Sequence, residues 1–481
     1  MRCDSVNFHS VNFQSTADKA LLSDRSIPVS EARFHTTSFC DQDGRLFWWQ
    51  GELYRGISVH YAALCERLFA EGIVDSLVDK GFLVDTELTD FSLPVYSLVL
   101  KHRRIPFVSY ASEWCPEMLK AAAQFTLDMM RQLAPYGLTV DIGSWDILYE
   151  GCVPRYVDFC SIAAASTYTP LCWQGAKDDF DSYFVTPLRL MAQGKGNLAR
   201  WLLHDYEHRV IHRELAGLMG QEVYSQGGAG KVSDWGKKIA LKATRFRQRW
   251  LPADTDLCRL DLVDRMQRSL DAINLPPPAA QDFSSVFTRS PKVGKCASTE
   301  APQQTCVHRT LTELQPSTVL DVGCGTGTYA QMAARLGAQV IAIDRDDRQV
   351  ACCYKAAKAE RLSVLPLVMD IRYPTPGQGV GNQLLASARD RLSCELVLAL
   401  DVLHLLVFEQ HLTLPQAVQA LADFSTRWLL LSFPDETEAT RAQGYHLDRL
   451  MELLGARFDQ VEMIATAEGQ VPLILCEVSA M

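Results

Sequence analysis

The rhythm of apolar and polar positions changes twice along this chain. Residues up to about 35 are polar, and the pattern Val6-Asn7-Phe8-His9-Ser10 recurs once as Val11-Asn12-Phe13-Gln14-Ser15. Two short copies do not make a repeat architecture, so residues 1–35 read as a mobile arm. From Gly44 the apolar positions tighten. Phe47-Trp48-Trp49 and the stretch from Gly51 to Gly56 predict a strand or turn. Helical spacing follows over Tyr61 to Lys80, with Leu64, Leu68 and Val74 on one face and Gly81 as the stop. Leu93 to Lys101 has strand character. Cys115 to Leu133 predicts a second amphipathic helix, opened by Pro116 in its first turn. Leu138 to Ser161 reads as short strands in tight loops.

The second change lies between Lys231 and Ser317. Lys231, Lys237, Lys238, Lys242, Arg245, Arg247 and Arg249 stand against Asp234, with Trp235, Ile239, Leu241 and Phe246 interleaved. Such a segment suits a solvated helical connector, and its charge leaves contact with RNA or an anionic surface open. Leu275-Pro276-Pro277-Pro278 then fixes an extended path, and the main domain boundary is expected there. Beyond Ser317, apolar runs alternate with helices. The strands are Val319–Val322, Gln339–Asp344, Val364–Asp370, Leu396–Val402, Trp428–Phe433, Phe458–Ala465 and Leu473–Val478. The helices are Thr328–Leu336, Asp347–Glu360, Leu414–Phe424 and one near Leu447–Leu454. Continuous apolar strands separated by helices mean an α/β fold, a mostly parallel sheet covered on both faces. The expected organisation is the arm, an α+β accessory domain over 36–230, a basic and Pro-rich connector over 231–304, and an α/β domain over 305–481.

Composition narrows the function. The chain has 481 residues, 48% of them hydrophobic and 22% charged, which is ordinary for a globular protein. Its formal charge of −10 argues against non-specific duplex DNA binding, which needs a basic surface. The longest apolar run, Cys394 to Phe408, is interrupted by Glu395, Asp401 and His404, so no membrane span is expected. The first residues lack the apolar core of a signal peptide, and the reading places the protein in the cytoplasm. The 15 cysteines include no pair at C-x-x-C spacing, which favours buried reduced thiols over a zinc ribbon or a disulfide framework. No metal site is expected.

The chemistry concentrates in Asp321-Val322-Gly323-Cys324-Gly325-Thr326-Gly327, a strand end, three alternate glycines and a helix start. Glycine admits positive φ and close approach to a ligand. The spacing is G-x-G-x-G, not the G-x-G-x-x-G built for a dinucleotide pyrophosphate. Asp321 before the loop repels a pyrophosphate but suits a ligand carrying an ammonium and a sulfonium. Asp344 ends the second strand, where a carboxylate suits ribose hydroxyls, and Asp370 ends the third, where one suits an adenine amino group. With these features residues 317–481 resemble class I S-adenosylmethionine-dependent methyltransferases. The resemblance implies that cofactor, sites at Asp321, Gly323, Gly325, Gly327, Asp344 and Asp370, and a Rossmann-like sheet of order 3-2-1-4-5-7-6 with the last strand antiparallel. The fourth strand ends in Leu398-Ala399-Leu400-Asp401-Val402-Leu403-His404. In the family this region faces the transferred methyl, which brings Asp401 into the cofactor set and makes His404 a candidate general base. A packed His404 is the competing reading. Neither the [DNS]-P-P-[YF] motif of amino-group methylation nor a Pro-Cys nucleophile stands there.

In the N-terminal half, Asp141 and Asp158 are similar in position to the catalytic-loop and metal-binding aspartates of kinase-like phosphotransferases. The pattern departs at Asp146, where that family has Asn, and at Cys160, where it has Gly. Gly51 and Gly56 form no phosphate loop, and Lys101 matches the phosphate-binding lysine by position only. A kinase-like scaffold and an unrelated α+β fold both stay open. The whole chain also resembles a group of bacterial two-part methyltransferases that includes host-specific nodulation proteins, through Tyr54-Arg55-Gly56-Ile57, Pro106 to Tyr110, Glu113-Trp114, Asp141 to Asp158 and Leu398 to His404. The expected function is methyl transfer to a small-molecule acceptor shaped by the N-terminal half. The alternatives are a non-catalytic cofactor-binding scaffold and a bifunctional phosphotransferase–methyltransferase.

Overall fold

The computed structural model describes residues 25–38, 41–167, 170–204, 256–277, 300–433, 441, 444–464 and 471–478. Most of the expected arm, the whole basic segment 231–249 and the polar stretch after Pro277 lie outside the described residues. The chain divides into two compact units, Met1–Arg104 and Ile105–Met481.

The first unit is built on five antiparallel strands: β1 (Arg33–Phe34), β2 (Gly44–Trp49), β3 (Glu52–Ile57), β4 (Thr86–Leu88) and β5 (Leu98–His102), in the order β1-β2-β3-β5-β4. Gln50 and Gly51, at φ of 50° and 81°, make the tight turn joining β2 to β3. Ile27, Phe47, Tyr54, Leu93 and Val99 form the core. The single helix expected over Tyr61–Lys80 is two, α1 (Val59–Ala70) and α2 (Ile73–Asp79), because Gly72 adopts φ of 66° between them. The strand expected from Leu93 starts only at Leu98, since a turn closed by Tyr96 N donating to Leu93 O (3.1 Å) holds the residues before it.

The second unit opens with a helical lobe. α3 (Pro116–Leu133) starts at the expected proline and buries Met118, Leu119, Ala122, Ala123, Leu127 and Met130. Two short pairings follow, β6 (Leu138–Thr139) with β9 (Ala163–Ala164), and the hairpin β7 (Ile147–Glu150) with β8 (Val153–Tyr156). Then come α4 (Pro170–Phe180), α5 (Thr186–Ala192) and α6 (Gly196–Leu203). Part of the expected connector is helix α7 (Asp256–Asp271), which returns to α3: Gln267 Nε2 donates to Gln124 Oε1 (2.7 Å) and Lys120 Nζ to Ile273 O (2.7 Å). Helix α8 (Glu300–Leu314) leads into the sheet.

That sheet has seven strands: β10 (Thr318–Val322), β11 (Gln339–Asp344), β12 (Val364–Val368), β13 (Cys394–Ala399), β14 (Ser425–Ser432), β15 (Gln460–Ile464) and β16 (Leu473–Glu477). Their order is β12-β11-β10-β13-β14-β16-β15, with β16 antiparallel to both neighbours. This is the strand count and order the resemblance implied. The helices of this region are α9 (Thr328–Arg335), α10 (Asp347–Ala359), α11 (Ala388–Leu392), α12 (Leu414–Ala422) and α13 (Leu447–Gly455). Leu320, Ile341, Val397 and Leu430 are fully buried at the strand centres, as a sheet covered on both faces requires. The strand order reverses between β10 and β13, and ligands of open α/β sheets bind beyond the strand C-termini at such a switch point. The helical lobe belongs to the same compact unit as this sheet. Among the described residues no helix is long and apolar enough to cross a membrane.

Candidate cofactor and acceptor site

Parallel register brings the ends of β10, β11, β12 and β13 level, with Asp321 opposite Ala342 on one side and Leu398 on the other. The glycine loop turns just beyond. Gly323, Gly325 and Gly327 have φ of 68°, 54° and 87°, the left-handed region that disfavours other residues. Two of them also permit close approach. A Cβ on Gly323 would stand 2.6 Å from Val402 Cγ2, and one on Gly327 would stand 2.4 Å from Cys353 Sγ. Gly325 has open space around it. The loop is therefore pressed against the segment after β13 and against α10, with one open stretch of backbone between.

The carboxylates divide the work. Asp321 is 2% exposed, and its Oδ2 accepts from Ala330 N (3.0 Å), tying α9 to the loop. Burial, helped by the charge of Asp344, raises its pKa to about 7, against the pull of the Ala330 hydrogen bond. Asp344 Oδ2 accepts from Gly325 N (3.1 Å) and its Oδ1 from Asp346 N (2.9 Å). Burial raises its pKa as well, with those backbone donors opposing. A carboxylate oxygen accepts more than one hydrogen bond, so Asp344 keeps capacity for the two hydroxyls of a ribose. Asp370 stands two residues past β12 and is gripped by Arg372, whose Nε lies 3.1 Å from both carboxylate oxygens and whose Nη2 lies 2.6 Å from Oδ2. Burial alone would raise the Asp370 pKa, but the Arg372 bonds outweigh it and the pKa is lowered. Cys324, inside the loop, has its thiol hydrogen-bonded to Cys353; that contact, then burial, pushes its pKa well up. Among the described residues no group of three or more His, Cys, Asp or Glu side chains is arranged to hold a metal ion.

Beyond β13 the backbone is strained. Asp401 is a non-glycine residue at φ of 59°, a conformation that persists only where its surroundings enforce it. Ser432 at the end of β14 provides that: its Oγ accepts from Asp401 N (2.7 Å) and donates to Asp401 Oδ1 (3.1 Å). Three residues on, the half-buried His404 lies against Phe408, ring centroids 4.7 Å apart, and meets Tyr445 edge-on at 6.2 Å. Tyr445 in turn stacks on Phe433 at 4.7 Å. Its hydroxyl is buried with no hydrogen-bond partner among the described residues, and burial keeps its pKa high, so it stays a neutral phenol. Tyr445 and Phe433, which pack around His404, carry no motif in the sequence. The site thus joins Asp321, Gly323, Gly325, Gly327, Asp344 and Val402 directly, with Asp370 and the Asp401–His404 segment at its margins. A cavity of about 330 Å³ lined by Leu311, Pro316, Ala333 and Gly337 opens at the opposite, N-terminal ends of β10 and β11 and is separate from it.

In the helical lobe Asp141, Asp146 and Asp158 also come together. Asp146 is half-buried, and desolvation followed by the charges of Asp158 and Asp141 raises its pKa well above the usual carboxylate range. The Gly143 backbone is close enough that a Cβ there would stand 2.6 Å from Asp146 Oδ2. Within the first unit, Gly51 is a hairpin turn and Gly56 lies under the Tyr96 ring, while Lys101 pairs with Glu52 at 3.4 Å. These residues form no phosphate-cradling loop.

Residues 319–421 match a family model described as a methyltransferase domain. Over 437 residues the chain is 26% identical to the nodulation protein NoeA of Rhizobium meliloti (strain 1021), covering 84% of this chain and 86% of that protein. Among solved structures it is similar to the magnesium protoporphyrin IX methyltransferase ChlM of Synechocystis PCC 6803 with bound SAH, at 18% identity and a TM-score of 0.29, covering 41% of this chain and 94% of that one. It is also similar to monomeric WbdD, at 18% identity and a TM-score of 0.29, covering 38% of this chain and 42% of that one. The C-terminal region of this chain carries a methyltransferase domain.

Proposed function

We propose that the chain transfers a methyl group from S-adenosylmethionine to a small-molecule acceptor, with the helical lobe helping to shape the site. The observation that carries this reading is the hydrogen bond from Gly325 N to Asp344 Oδ2 (3.1 Å). It couples the open part of the glycine loop to the second-strand acid, inside a region that matches a methyltransferase domain. The residues fit the cofactor: Gly325 leaves room for a ligand against its backbone, Asp344 has spare acceptor capacity for ribose, and Asp321 offers negative charge to an ammonium or sulfonium.

When bound, the cofactor supplies an electrophilic methyl on a sulfonium, a good leaving group. The protein's share is then positioning and exclusion of water. Asp344 and Asp370 fix the nucleoside end, while Asp321 and the loop backbone orient the methionine end. Asp401 and Val402 set the floor beneath the acceptor. His404 takes the proton that an acceptor hydroxyl or amine loses, with the Tyr445 ring packed edge-on against it. Calorimetric titration of the full chain with S-adenosylmethionine tests the reading. Binding is expected, and Asp344→Ala should weaken it about 10–100-fold through lost charged hydrogen bonds. Equal affinity in the two proteins would sink the assignment.

A bifunctional phosphotransferase is the second reading, kept because Asp141, Asp146 and Asp158 meet. The departure at Asp146, where such enzymes carry Asn, weighs against it.

A further inference from the structure

Two of the acids assigned to the cofactor are followed along the chain by segments that the helical lobe holds. Helix α10 begins at Asp347, three residues after Asp344. Arg200 of α6 reaches Asp347 at 3.7 Å, with its side chain 14% exposed, and also approaches Trp114 O at 3.5 Å. A Cβ on Gly196 would stand 3.1 Å from Asp347 Oδ2, so α6 sits directly against the start of α10. Further along the same helix Lys355 pairs with Glu117 of α3 at 3.2 Å, and Cys152 at the β7–β8 turn donates its thiol toward Val364 O at 3.3 Å.

The connection leaving Asp370 is held as firmly. It ends at α11, where Arg391 is 3% exposed and Glu113 of the helical lobe 2%. Arg391 Nη2 donates to Glu113 Oε1 (2.6 Å), Nη1 to Glu113 Oε2 (3.2 Å), and Nε to Ala386 O (2.9 Å). Its guanidinium also lies 3.9 Å over the Tyr110 ring, whose hydroxyl donates to the same Ala386 carbonyl (3.2 Å). A buried pair of this kind fixes one arrangement, because any displacement strands a charge away from water.

We infer that the helical lobe braces the cofactor site from outside, with Arg200 as the positioning residue that sets Asp344 through Asp347 and the Glu113–Arg391 pair fixing the lobe against the sheet region. The inference rests on the cofactor reading above. A carboxylate must meet ribose hydroxyls within a few tenths of an ångström to keep its hydrogen bonds. Asp344 ends β11 and only Arg345 and Asp346 separate it from α10, so the placement of α10 bears on its direction. Motion of α6 would pass to Asp344 with no residue of the lobe touching the ligand.

The test uses the full-length protein with Arg200→Met, Arg200→Lys and Asp347→Asn, reading calorimetric affinity for S-adenosylmethionine and the melting temperature with and without it. Arg200→Met keeps the packed chain and removes the charge. Asp347→Asn removes the counter-charge from the side that is one-third exposed and leaves an amide oxygen to which the buried Arg200 can still donate. The expected result is an unliganded melting temperature close to wild type, affinity lowered about 5–30-fold, and a smaller cofactor-induced rise in melting temperature. Arg200→Lys should recover much of the loss. Affinity within twofold of wild type in Asp347→Asn overturns the inference, and so does a loss in Arg200→Met that follows only from a lower unliganded melting temperature. Absence of binding in the wild-type protein refutes the cofactor reading instead, and so separates the two failures.

Discussion

On the proposed cofactor reading, Asp321 acts as a proton switch whose size follows from its burial. Its carboxyl is fully buried and titrates at about 7 instead of 3.8, chiefly because burial disfavours the charge. Without cofactor, a folded-state pKa raised above the unfolded value means stability that is full below about 4 and lost as pH rises to about 7. At about 1.36 kcal/mol per pKa unit, that loss is at most about 4 kcal/mol. A ligand that brings an ammonium or sulfonium to this carboxyl reverses the balance by favouring the ionised form. Binding at pH 7 should therefore release about half a proton, and at pH 6 close to one. Affinity should rise by up to about tenfold per pH unit below 7 and level off above it.

Titration calorimetry in buffers of low and high ionisation enthalpy reads the released protons directly. Asp321→Asn is the matched perturbation. The amide oxygen can still accept from Ala330 N, so the α9 tether survives, but there is no proton to release. The variant should bind more weakly at pH 8 than wild type, with the difference shrinking toward pH 5.5. A wild-type protein with no buffer-dependent heat and flat affinity from pH 5.5 to 7 would show that the Asp321 charge does not meet the ligand.

Three further outcomes are expected. His404→Ala should lower kcat by about 10²–10⁴ with cofactor affinity intact if the imidazole takes the acceptor's proton; an unchanged kcat, with melting temperature reduced, would make it a packing residue on Phe408 and Tyr445. Asp146→Asn should raise thermal stability at pH 8 relative to pH 4 and flatten the pH dependence, because the wild-type carboxyl, titrating well above its usual range, costs stability as pH rises; parallel wild-type and variant curves would contradict that. ATP hydrolysis by the full chain should be undetectable, and activity abolished by Asp158→Ala would instead establish the phosphotransferase reading.

The sheet was legible because its information is local. Apolar runs such as Val319–Val322 and Gln339–Asp344, each closed by an acid or a glycine, carry strand, strand end and site in one short window. The glycine loop was legible for the same reason, since positive φ at three alternate positions demands that residue type. Boundaries were less so. Asp370 reads as the last strand residue because Val364–Met369 is apolar throughout, yet the strand ends at Val368 and Arg372 turns back onto the carboxylate. Gly72 was passed over because the apolar face continues across it, and only its left-handed φ of 66° splits the helix.

What stayed hidden depends on partners far apart in sequence. Glu113 and Arg391 are separated by 278 positions, and neither carries a local sign that it is buried. Charged residues are normally exposed, so nothing local marks either as buried, and burying a charge is tolerable only with its counter-charge in place. The pair at Glu113 and Arg391, with Arg200 against Asp347, binds the helical lobe to the sheet region more strictly than apolar contact would. Apolar surfaces tolerate small slips, whereas a bidentate ion pair sealed from water does not. In this chain that strictness falls on the segments following Asp344 and Asp370, where a nucleoside-binding site has the least tolerance for movement.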